Sequence, residues 1–329
     1  MVFGNAEGAT PVSSRQPLPQ AWLRQWQWHD QTVSYVVCQA DSSGAADASE
    51  PSAVVLIHGF GACKEHWRHT IAPLATQHTV FALDLLGFGA SDKPKAVLKD
   101  EPDEPGSCRY GIDLWAEQVV DFVTSQVTMP VSLIGNSIGG VVALRAAQRL
   151  EMLGQPARCV VLVDCAQRAI DDKRLANQPP LRRFGRPLLK SLIRQRWLTS
   201  LLFRQLSQPG VIRRILGVAY PSGANVDDQL VNTLVAPTRQ PGAEEAFRGF
   251  ANLFDDHLAP DILETLQTPV HMIWGEKDPW EPVSEARSWV RYGCVRSLEV
   301  VPELGHCPHD EGPEQINPIL LNALAKEAQ

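Results

Sequence analysis

The sequence predicts an α/β protein with a doubly wound, mostly parallel sheet of about eight strands and one helical insertion. Short continuous apolar runs, typical of strands covered on both faces, alternate with segments whose apolar residues recur at helical spacing. Turns rich in glycine and polar residues follow these runs directly. Residues 165–268, by contrast, contain many prolines and no convincing pair of strands.

Length and composition are those of a globular protein of more than one part. The chain has 329 residues, of which 44% are hydrophobic and 20% charged. A net charge of −7 argues against nucleic-acid binding. We expect a flexible tail over residues 1–20, a core over 21–165 and 269–329, and a helical insertion over 166–268, here called the cap.

The seven cysteines show no paired spacing, which is typical of reduced thiols in the cytoplasm and does not favour zinc. The N-terminal residues lack the apolar region of a secretory signal, and no apolar run approaches the ~18 residues that span a bilayer. We therefore expect a cytoplasmic protein, soluble or peripheral, with no metal or organic cofactor. The sequence leaves the oligomeric state open.

The predicted elements alternate along the chain. Loops are expected at 40–52, as a mobile segment, and at 93–109, on the surface. Helices are expected at about 66–77, 112–126 and 139–147. The predicted strands are 22–28, 32–39, 53–57, 79–83, 131–134, 159–163, 269–274 and 297–301. Because ligands of such sheets gather at the carboxyl ends of the strands, the polar turns found there predict a single site.

The turn Gly-Asn-Ser-Ile-Gly at 135–139 joins a predicted strand to a predicted helix. A serine at the tip of such a turn projects its hydroxyl from the backbone, and glycines on either side avoid steric collisions. Ser137 is therefore the predicted nucleophile. An acyl-transfer serine also needs a base, a carboxylate that orients the base, and donors for the oxyanion.

His306 is the predicted base, because it lies in a turn after the last strand; His309, three residues later, is the alternative. Asp278 is the predicted orienting acid, in the turn after the preceding strand. It could instead cap the following helix, in which case Asp164 would be the substitute, since it also ends a strand. Asp84 is expected to support its own turn.

The backbone N–H groups of Phe60 and Ile138 are the predicted oxyanion donors, one after the third strand and one at the start of the helix. His58 is expected to hold its loop by hydrogen bonds. Phe60 and Trp280 are expected either to line the substrate pocket or to pack in the core.

These motifs resemble the α/β-hydrolase superfamily over residues 22–325, which implies its fold, with the cap inserted between strands 6 and 7. Longer stretches are similar to the pheophytinase and chlorophyll-dephytylase-like hydrolases of plants and cyanobacteria: Asp-Leu-Leu-Gly-Phe-Gly-Ala-Ser-Asp-Lys-Pro (84–94), Gly-Asn-Ser-Ile-Gly-Gly (135–140), Trp-Gly-Glu-Lys-Asp-Pro-Trp-Glu-Pro (274–282) and Gly-His-Cys-Pro-His-Asp-Glu (305–311). That likeness implies cleavage of the phytyl ester of a chlorophyll pigment by Ser137, Asp278 and His306. It also implies a position at an internal, thylakoid-like membrane.

The predicted function is a serine hydrolase acting on a hydrophobic ester. Two alternatives stay open: a C–C bond hydrolase of ring-fission products, which shares the Gly-Asn-Ser-x-Gly-Gly motif, and a non-catalytic ligand or pigment receptor on the same fold. Epoxide hydrolases and haloalkane dehalogenases use an aspartate nucleophile, so Ser137 argues against both.

The first half of the cap is basic and apolar. Residues 174–226 contain ten Lys or Arg and no Asp or Glu. Such a segment predicts contact with an anionic membrane, or else cap helices buried against the core with arginines reaching outward. Drawn as one helix, residues 189–206 show no single apolar stripe, which does not favour a continuous interfacial helix.

Overall fold

The computed structural model describes residues 17–40, 50–169, 171–177 and 180–327. Most of the predicted tail (residues 1–16) and most of the predicted mobile loop (residues 41–49) lie outside the described residues. All seven cysteines are free thiols. No helix in the described ranges is long and apolar enough to cross a membrane.

Eight strands form one sheet in the order β1-β2-β4-β3-β5-β6-β7-β8. β1 pairs antiparallel with β2, and β2 with β4, whereas every other pair is parallel. The strands are β1 Leu23–Trp28, β2 Gln31–Cys38, β3 Ala53–Ile57, β4 Thr79–Leu83, β5 Val131–Asn136, β6 Val160–Val163, β7 Val270–Gly275 and β8 Val295–Val301. Every residue of β3 to β7 is buried, which explains why these strands are continuous apolar runs.

Helices cover both faces of the sheet. The α-helices of the described residues are α1 Ile71–Leu74, α2 Ile112–Gln126, α3 Ile138–Met152, α4 Pro180–Ile193, α5 Arg196–Leu206, α6 Pro209–Ala219, α7 Asp228–Val235, α8 Ala243–Ala251, α9 Ala259–Leu263, α10 Val283–Trp289, α11 Pro308–Glu311 and α12 Pro313–Lys326. Short 3-10 helices cover Gln20–Trp22, Lys64–Trp67, Asp172–Asn177 and Ala236–Arg239. α2, α3 and α10 share one core cluster with the sheet, and α1 and α12 share another.

The helical insertion lies between β6 and β7, the sixth and seventh strands, as predicted. A third apolar cluster joins its helices α6 and α7 to Ala62 and Cys63, which follow β3. The insertion therefore packs on the edge of the sheet where the parallel strands end.

The prediction of one helix over 66–77 is wrong. A 3-10 helix over Lys64–Trp67 is followed by α1, which begins at Ile71. Pro73 has no N–H to donate to the carbonyl of His69, and its ring would collide with that carbonyl in a continuous helix. The His69 carbonyl accepts a hydrogen bond from Asn317 Nδ2 at 2.8 Å instead.

The prediction of a plain surface loop over 93–109 is also wrong. Lys95–Ala96 and Ser107–Cys108 form a small parallel sheet, and Ala96, Val97 and Leu98 are buried. α8 covers this segment, since Glu245 Oε2 accepts from the Ala96 N–H at 2.7 Å.

The single helix drawn over 189–206 is in fact two helices. α4 ends at Ile193 and α5 begins at Arg196. The carbonyls of Ile193 and Arg194 accept from Asn252 Nδ2 and Arg248 Nη2 on or beside α8, which satisfies the end of α4.

Candidate active site

Ser137 lies where β5 meets α3, in a strained backbone conformation with φ 55° and ψ −124°. Its N–H donates to the Val163 carbonyl at 3.0 Å, which ties the turn to β6. A Cβ at Gly135 would lie 2.2 Å from the Gly139 carbonyl oxygen, and one at Gly139 would lie 2.5 Å from the His58 carbonyl oxygen. The two glycines of the motif therefore allow the strand, the helix and the loop after β3 to meet at the serine.

His306 and Asp278 are paired. The distance from His306 Nδ1 to Asp278 Oδ2 is 2.8 Å, and both side chains are buried. They follow β8 and β7, which are parallel neighbours, so their turns meet at the same edge. The backbone N–H of His306 donates to the Ala219 carbonyl at 2.9 Å. The backbone carbonyl of His306 accepts from Asn136 Nδ2 at 3.0 Å. The cap and β5 thus both position the histidine.

The charge of Asp278 decides which nitrogen of His306 carries the proton. Burial raises the pKa of Asp278, but the hydrogen bond and the charge of His306 outweigh burial and leave the pKa below its ordinary value. Because an ionised carboxylate only accepts hydrogen bonds, His306 Nδ1 is the donor and Nε2 is left as a base.

The alternative in which Asp278 caps the following helix is wrong, because the N-cap of α10 is Pro282 and no side chain caps it. Asp278 Oδ1 accepts from the N–H groups of Trp280 and Glu281 at 2.8 and 3.1 Å, which holds the turn before α10. Its Oδ2 accepts from the imidazole, so the two functions use different oxygens.

Asp164 is buried beside Asp278, and its Oδ1 accepts from the Gly275 N–H at 2.9 Å. Burial, and then the negative charge of Asp278, raise the pKa of Asp164 well above its ordinary value. Asp164 therefore keeps its proton to a higher pH than an ordinary aspartate, and Asp278 is the group that contacts the imidazole.

Three further polar residues singled out in the sequence, His309, Asp84 and His58, do not line the cavity that contains Ser137 and His306. His309 is buried against the Trp67 ring, with 4.2 Å between centroids. Asp84 accepts from the Lys64 N–H and Nζ, each at 2.7 Å. His58 Nε2 accepts from the Leu85 N–H at 3.1 Å, which holds the loop after β3.

The loop after β3 approaches the serine closely. A Cβ at Gly59, the residue before Phe60, would lie 3.1 Å from Ser137 Cβ. Ile138 is the first residue of α3, where an N–H has no acceptor within the helix. The two predicted oxyanion donors therefore lie on the two segments that meet at Ser137.

A cavity of about 540 Å³ contains Ser137 and His306 in its lining. Phe60 and Trp280 both line it, and the Trp280 ring is in edge contact with His306, at 4.8 Å between centroids. The Phe60 ring stacks on Phe250 of α8 at 3.8 Å. Most of the remaining large apolar lining comes from the cap and includes Phe203 and Leu206 of α5, Ile212 and Leu216 of α6, and Phe247 of α8, whereas Phe88 comes from the turn after β4.

These cap residues were missed in the sequence, because no local pattern separates a side chain that lines a cavity from one that packs in a core. The only signal was the spacing of Phe247 and Phe250, which places both on one face of a helix.

The ionisable groups of the cavity lining, apart from His306, are effectively neutral or fully paired. Burial and the neighbouring acidic groups raise the pKa of Glu281 to about 8. Burial lowers the pKa of His66 to about 4. Lys93 Nζ donates to the carbonyls of Gly89 and Ser91 and to Gln240 Oε1, at 2.7 to 2.8 Å, which uses all three of its N–H groups.

A buried network behind the cavity determines the tautomer of His66. Arg68 donates to Asp310, and Tyr220 donates its hydroxyl hydrogen to Asp310 Oδ2 at 3.0 Å. The Tyr220 oxygen must then accept from His66 Nε2, 2.7 Å away, so the proton of His66 is on Nε2.

Among the described residues, one group of potential metal ligands lies outside the cavity. Ligand atoms of His29, Glu117 and Asp121 lie within 4.8 Å of one another on the surface. Asp121 Oδ2 already accepts from Trp28 Nε1 at 2.8 Å, so ordinary hydrogen bonding accounts for its position.

Few folds place a strained serine between a central strand and a helix and bring a paired histidine and carboxylate from the last two strands to the same cavity. This combination defines the α/β hydrolases, in which the chain order is serine, acid, histidine. A profile of the alpha/beta hydrolase family matches residues 54–319, and the chain belongs to this family.

Known proteins similar to the chain include a pheophytinase, a dienoic acid hydrolase and an epoxide hydrolase. The chloroplastic pheophytinase of Arabidopsis thaliana is 27% identical over 299 residues, which cover 82% of this chain but only 60% of that protein. The 2-hydroxy-6-oxo-6-(2'-aminophenyl)hexa-2,4-dienoic acid hydrolase of Metapseudomonas resinovorans is 22% identical and is matched over 86% of this chain and 87% of its own length. The solved structure of the epoxide hydrolase CorEH has a TM-score of 0.71 at 20% identity, covering 92% of this chain and 98% of that one.

Proposed function

We propose that the protein is a serine hydrolase that cleaves a carboxylic ester with a large hydrophobic alcohol or acyl part. The observation that carries this proposal is the 2.8 Å contact between His306 and Asp278 in a cavity that also contains Ser137. The cavity volume lies within the range of about 300–1,000 Å³ that is typical of small-molecule sites.

In the proposed mechanism, His306 Nε2 takes the proton of Ser137 while Asp278 holds the imidazole. The Ser137 oxygen attacks the ester carbonyl, and the N–H groups of Phe60 and Ile138 bind the oxyanion, each stabilising the transition state by about 3 kcal/mol. His306 then protonates the departing alcohol, leaving an acyl-enzyme. Water activated by His306 releases the acid and restores Ser137.

The mostly apolar lining, whose one ordinary cation among the described residues has its donors already taken, favours an uncharged ester over an anionic substrate. The pheophytinase likeness suggests the phytyl ester of a chlorophyll pigment as the first ester to test. Phe60 and Trp280 are proposed as substrate contacts, because both line the cavity next to the reacting groups. We also propose that residues 166–268 form the cap over the site and that residues 21–165 and 269–329 form the core. The proposed location is cytoplasmic, or peripheral on a membrane.

A C–C bond hydrolase is the second candidate, because the dienoic acid hydrolase is matched over most of both chains. The substrate in that enzyme's name is an acid and would bring a carboxylate into the cavity. Among the described lining residues, the one ordinary cation is Lys93, whose donors are already taken. The ester is therefore the better supported of the two.

A fluorophosphonate probe tests the nucleophile. Wild type and the control Ser288→Ala, a change on the exposed face of α10, should be labelled, and Ser137→Ala should not; equal labelling of all three would place the nucleophile elsewhere. Incubation with chlorophyll, pheophytin, a series of simple esters and a coloured ring-fission product, with products identified by mass spectrometry, then tests the substrate. Loss of colour without ester turnover would favour the C–C reaction, and tight retention of a ligand without turnover would favour a receptor.

A further inference from the structure

The outer surface of α4, α5 and α6 exposes an unusual amount of apolar side chain. Thirteen large hydrophobic side chains of the described residues are exposed, and nine of them lie on these three helices. Trp197 and Leu188 each expose 67% of their surface. We call this surface the apolar cap face, and its most exposed members are Leu188, Leu189, Leu192, Trp197, Leu201 and Val218.

The exposed residues are ordered on each helix. On α5, Trp197 and Leu201 are four residues apart, as are Leu202 and Leu206, so the two members of each pair lie next to each other in a short apolar stripe. A helical wheel drawn over 189–206 combines residues of two separate helices, α4 and α5. It therefore shows no apolar stripe, although stripes are present on the helices themselves. A soluble protein rarely exposes such a patch unless another apolar surface covers it.

The apolar cap face is continuous with the cavity. Leu206 of α5 and Ile215 of α6 are exposed to solvent and also line the cavity that contains Ser137. Phe203 lies one turn before Leu206 and lines the same cavity. An apolar molecule that leaves a lipid phase at this face would therefore meet an apolar path to the serine.

The charge on this face favours an anionic occupant. Arg204 and Arg214 are exposed, and within the described ranges neither forms an ion pair, whereas Arg213 pairs with Asp228. In a dimer with twofold symmetry, the same two arginines of each copy would lie in the interface, and their charges would repel each other. An anionic lipid surface offers both an apolar interior and negative headgroups.

We propose that the apolar cap face docks on an anionic lipid bilayer and that the hydrophobic substrate passes from the bilayer into the cavity. The docking depends on α4 to α6 alone, and only the passage of substrate rests on the proposed function.

Sedimentation with vesicles tests the docking. The full chain is mixed with vesicles of phosphatidylcholine alone and of phosphatidylcholine with phosphatidylglycerol, at low and high salt. We expect binding to the anionic vesicles, weakened by salt. Trp197→Ser with Leu201→Ser should lower the partition coefficient about tenfold or more. The matched control, Met152→Ser with Leu153→Ser, removes two exposed apolar residues from the end of α3 and should bind like wild type.

The contribution of the arginine charges and the insertion of Trp197 into the lipid are tested separately. Arg204→Gln with Arg214→Gln should reduce binding to the anionic vesicles and its salt dependence. Brominated lipids should quench the fluorescence of Trp197, and Trp197→Phe should lose that part of the quenching. Equal sedimentation of the Trp197/Leu201 variant and its control would overturn the proposal, as would a concentration-dependent dimer that only the cap variant abolishes.

The two proposals fail independently. Ser137→Ala should bind vesicles like wild type, because Ser137 is not on the apolar cap face. Hydrolysis of a soluble ester without vesicle binding would remove the docking and keep the serine hydrolase. Vesicle binding without hydrolysis of any ester would keep the docking and remove the serine hydrolase.

Discussion

Asp278 Oδ2 accepts the Nδ1 hydrogen of His306 at 2.8 Å, across 28 residues of sequence. The contact exists because β7 and β8 are adjacent and parallel, so that the turns after them meet. Asp164, from the turn after β6, is buried beside Asp278, and its pKa is raised well above the ordinary value. Two carboxyl groups of the same residue type therefore have pKa values shifted in opposite directions at one site, upward for Asp164 by burial and by the charge of Asp278, and downward for Asp278 by His306.

The same substitution should affect kcat strongly at Asp278 and weakly at Asp164. Asp278→Asn should lower kcat by about 10⁴, because an amide in this place favours the wrong histidine tautomer. Because burial favours the uncharged form of Asp164, Asp164→Asn, which places an uncharged amide of similar shape there, should keep kcat within about tenfold. Steady-state kinetics on a soluble ester checks both. A larger loss for Asp164→Asn would mean that Asp164 orients the histidine.

Glu281 should make the protein less stable as the pH rises. Its pKa is about 8 in the folded state, against an ordinary value of 4.5. Between these values the folded state binds the extra proton, so the free energy of unfolding falls with rising pH. Glu281→Gln should remove about 1 kcal/mol of this fall per pH unit. Urea unfolding at pH 5.5 and 7.5 measures the slope, and identical slopes for wild type and variant would contradict the raised pKa.

Gly139 and Gly217 form a matched pair for testing the turn at Ser137. A Cβ at Gly139 would lie 2.5 Å from two backbone carbonyl oxygens, whereas a Cβ at Gly217 of α6 meets nothing within 4 Å. Gly139→Ala should lower the free energy of unfolding by about 2 kcal/mol or more and reduce activity. Gly217→Ala should raise it by about 0.5–1 kcal/mol. Equal effects in thermal unfolding would contradict the close approach at Gly139.

Tyr220 should contribute to stability through its hydroxyl. Tyr220→Phe leaves His66 Nε2 without its acceptor and removes one donor from Asp310, both in a buried region. We expect a loss of about 1–3 kcal/mol in the free energy of unfolding, measured in urea. Tyr292→Phe, at a partly exposed hydroxyl, is the control and should cost less. A comparable loss in the control would show that the network adds little.

Phe250 should limit the size of the group bound beside Phe60. Phe250→Ala removes the ring that stacks on Phe60 at 3.8 Å and enlarges the cavity. The ratio of kcat/KM for long-chain over short-chain esters should shift by about tenfold in favour of long chains. Val290→Ala, an exposed change after α10, is the control. An unchanged ratio would mean that the stacked pair does not contact substrate.

Much of the architecture could be predicted because its determinants are local. The bounds of β3, β4 and α2 agree with prediction, since a fully buried parallel strand is a continuous apolar run and an amphipathic helix repeats at its own period. The order of Ser137, Asp278 and His306 could be predicted because each lies at the end of a predicted strand, and parallel strands end at one edge.

The sequence by itself determined the sheet, the position of the inserted helices and the three residues that are proposed to carry the chemistry. The tertiary structure alone decided which of Asp278 and Asp164 contacts His306, why α4 and α5 are separate helices, and which cap residues line the cavity. Each of these depends on burial and hydrogen bonds between residues far apart in the chain. Local sequence patterns hold no record of such contacts, because they exist only after the cap has packed against the sheet.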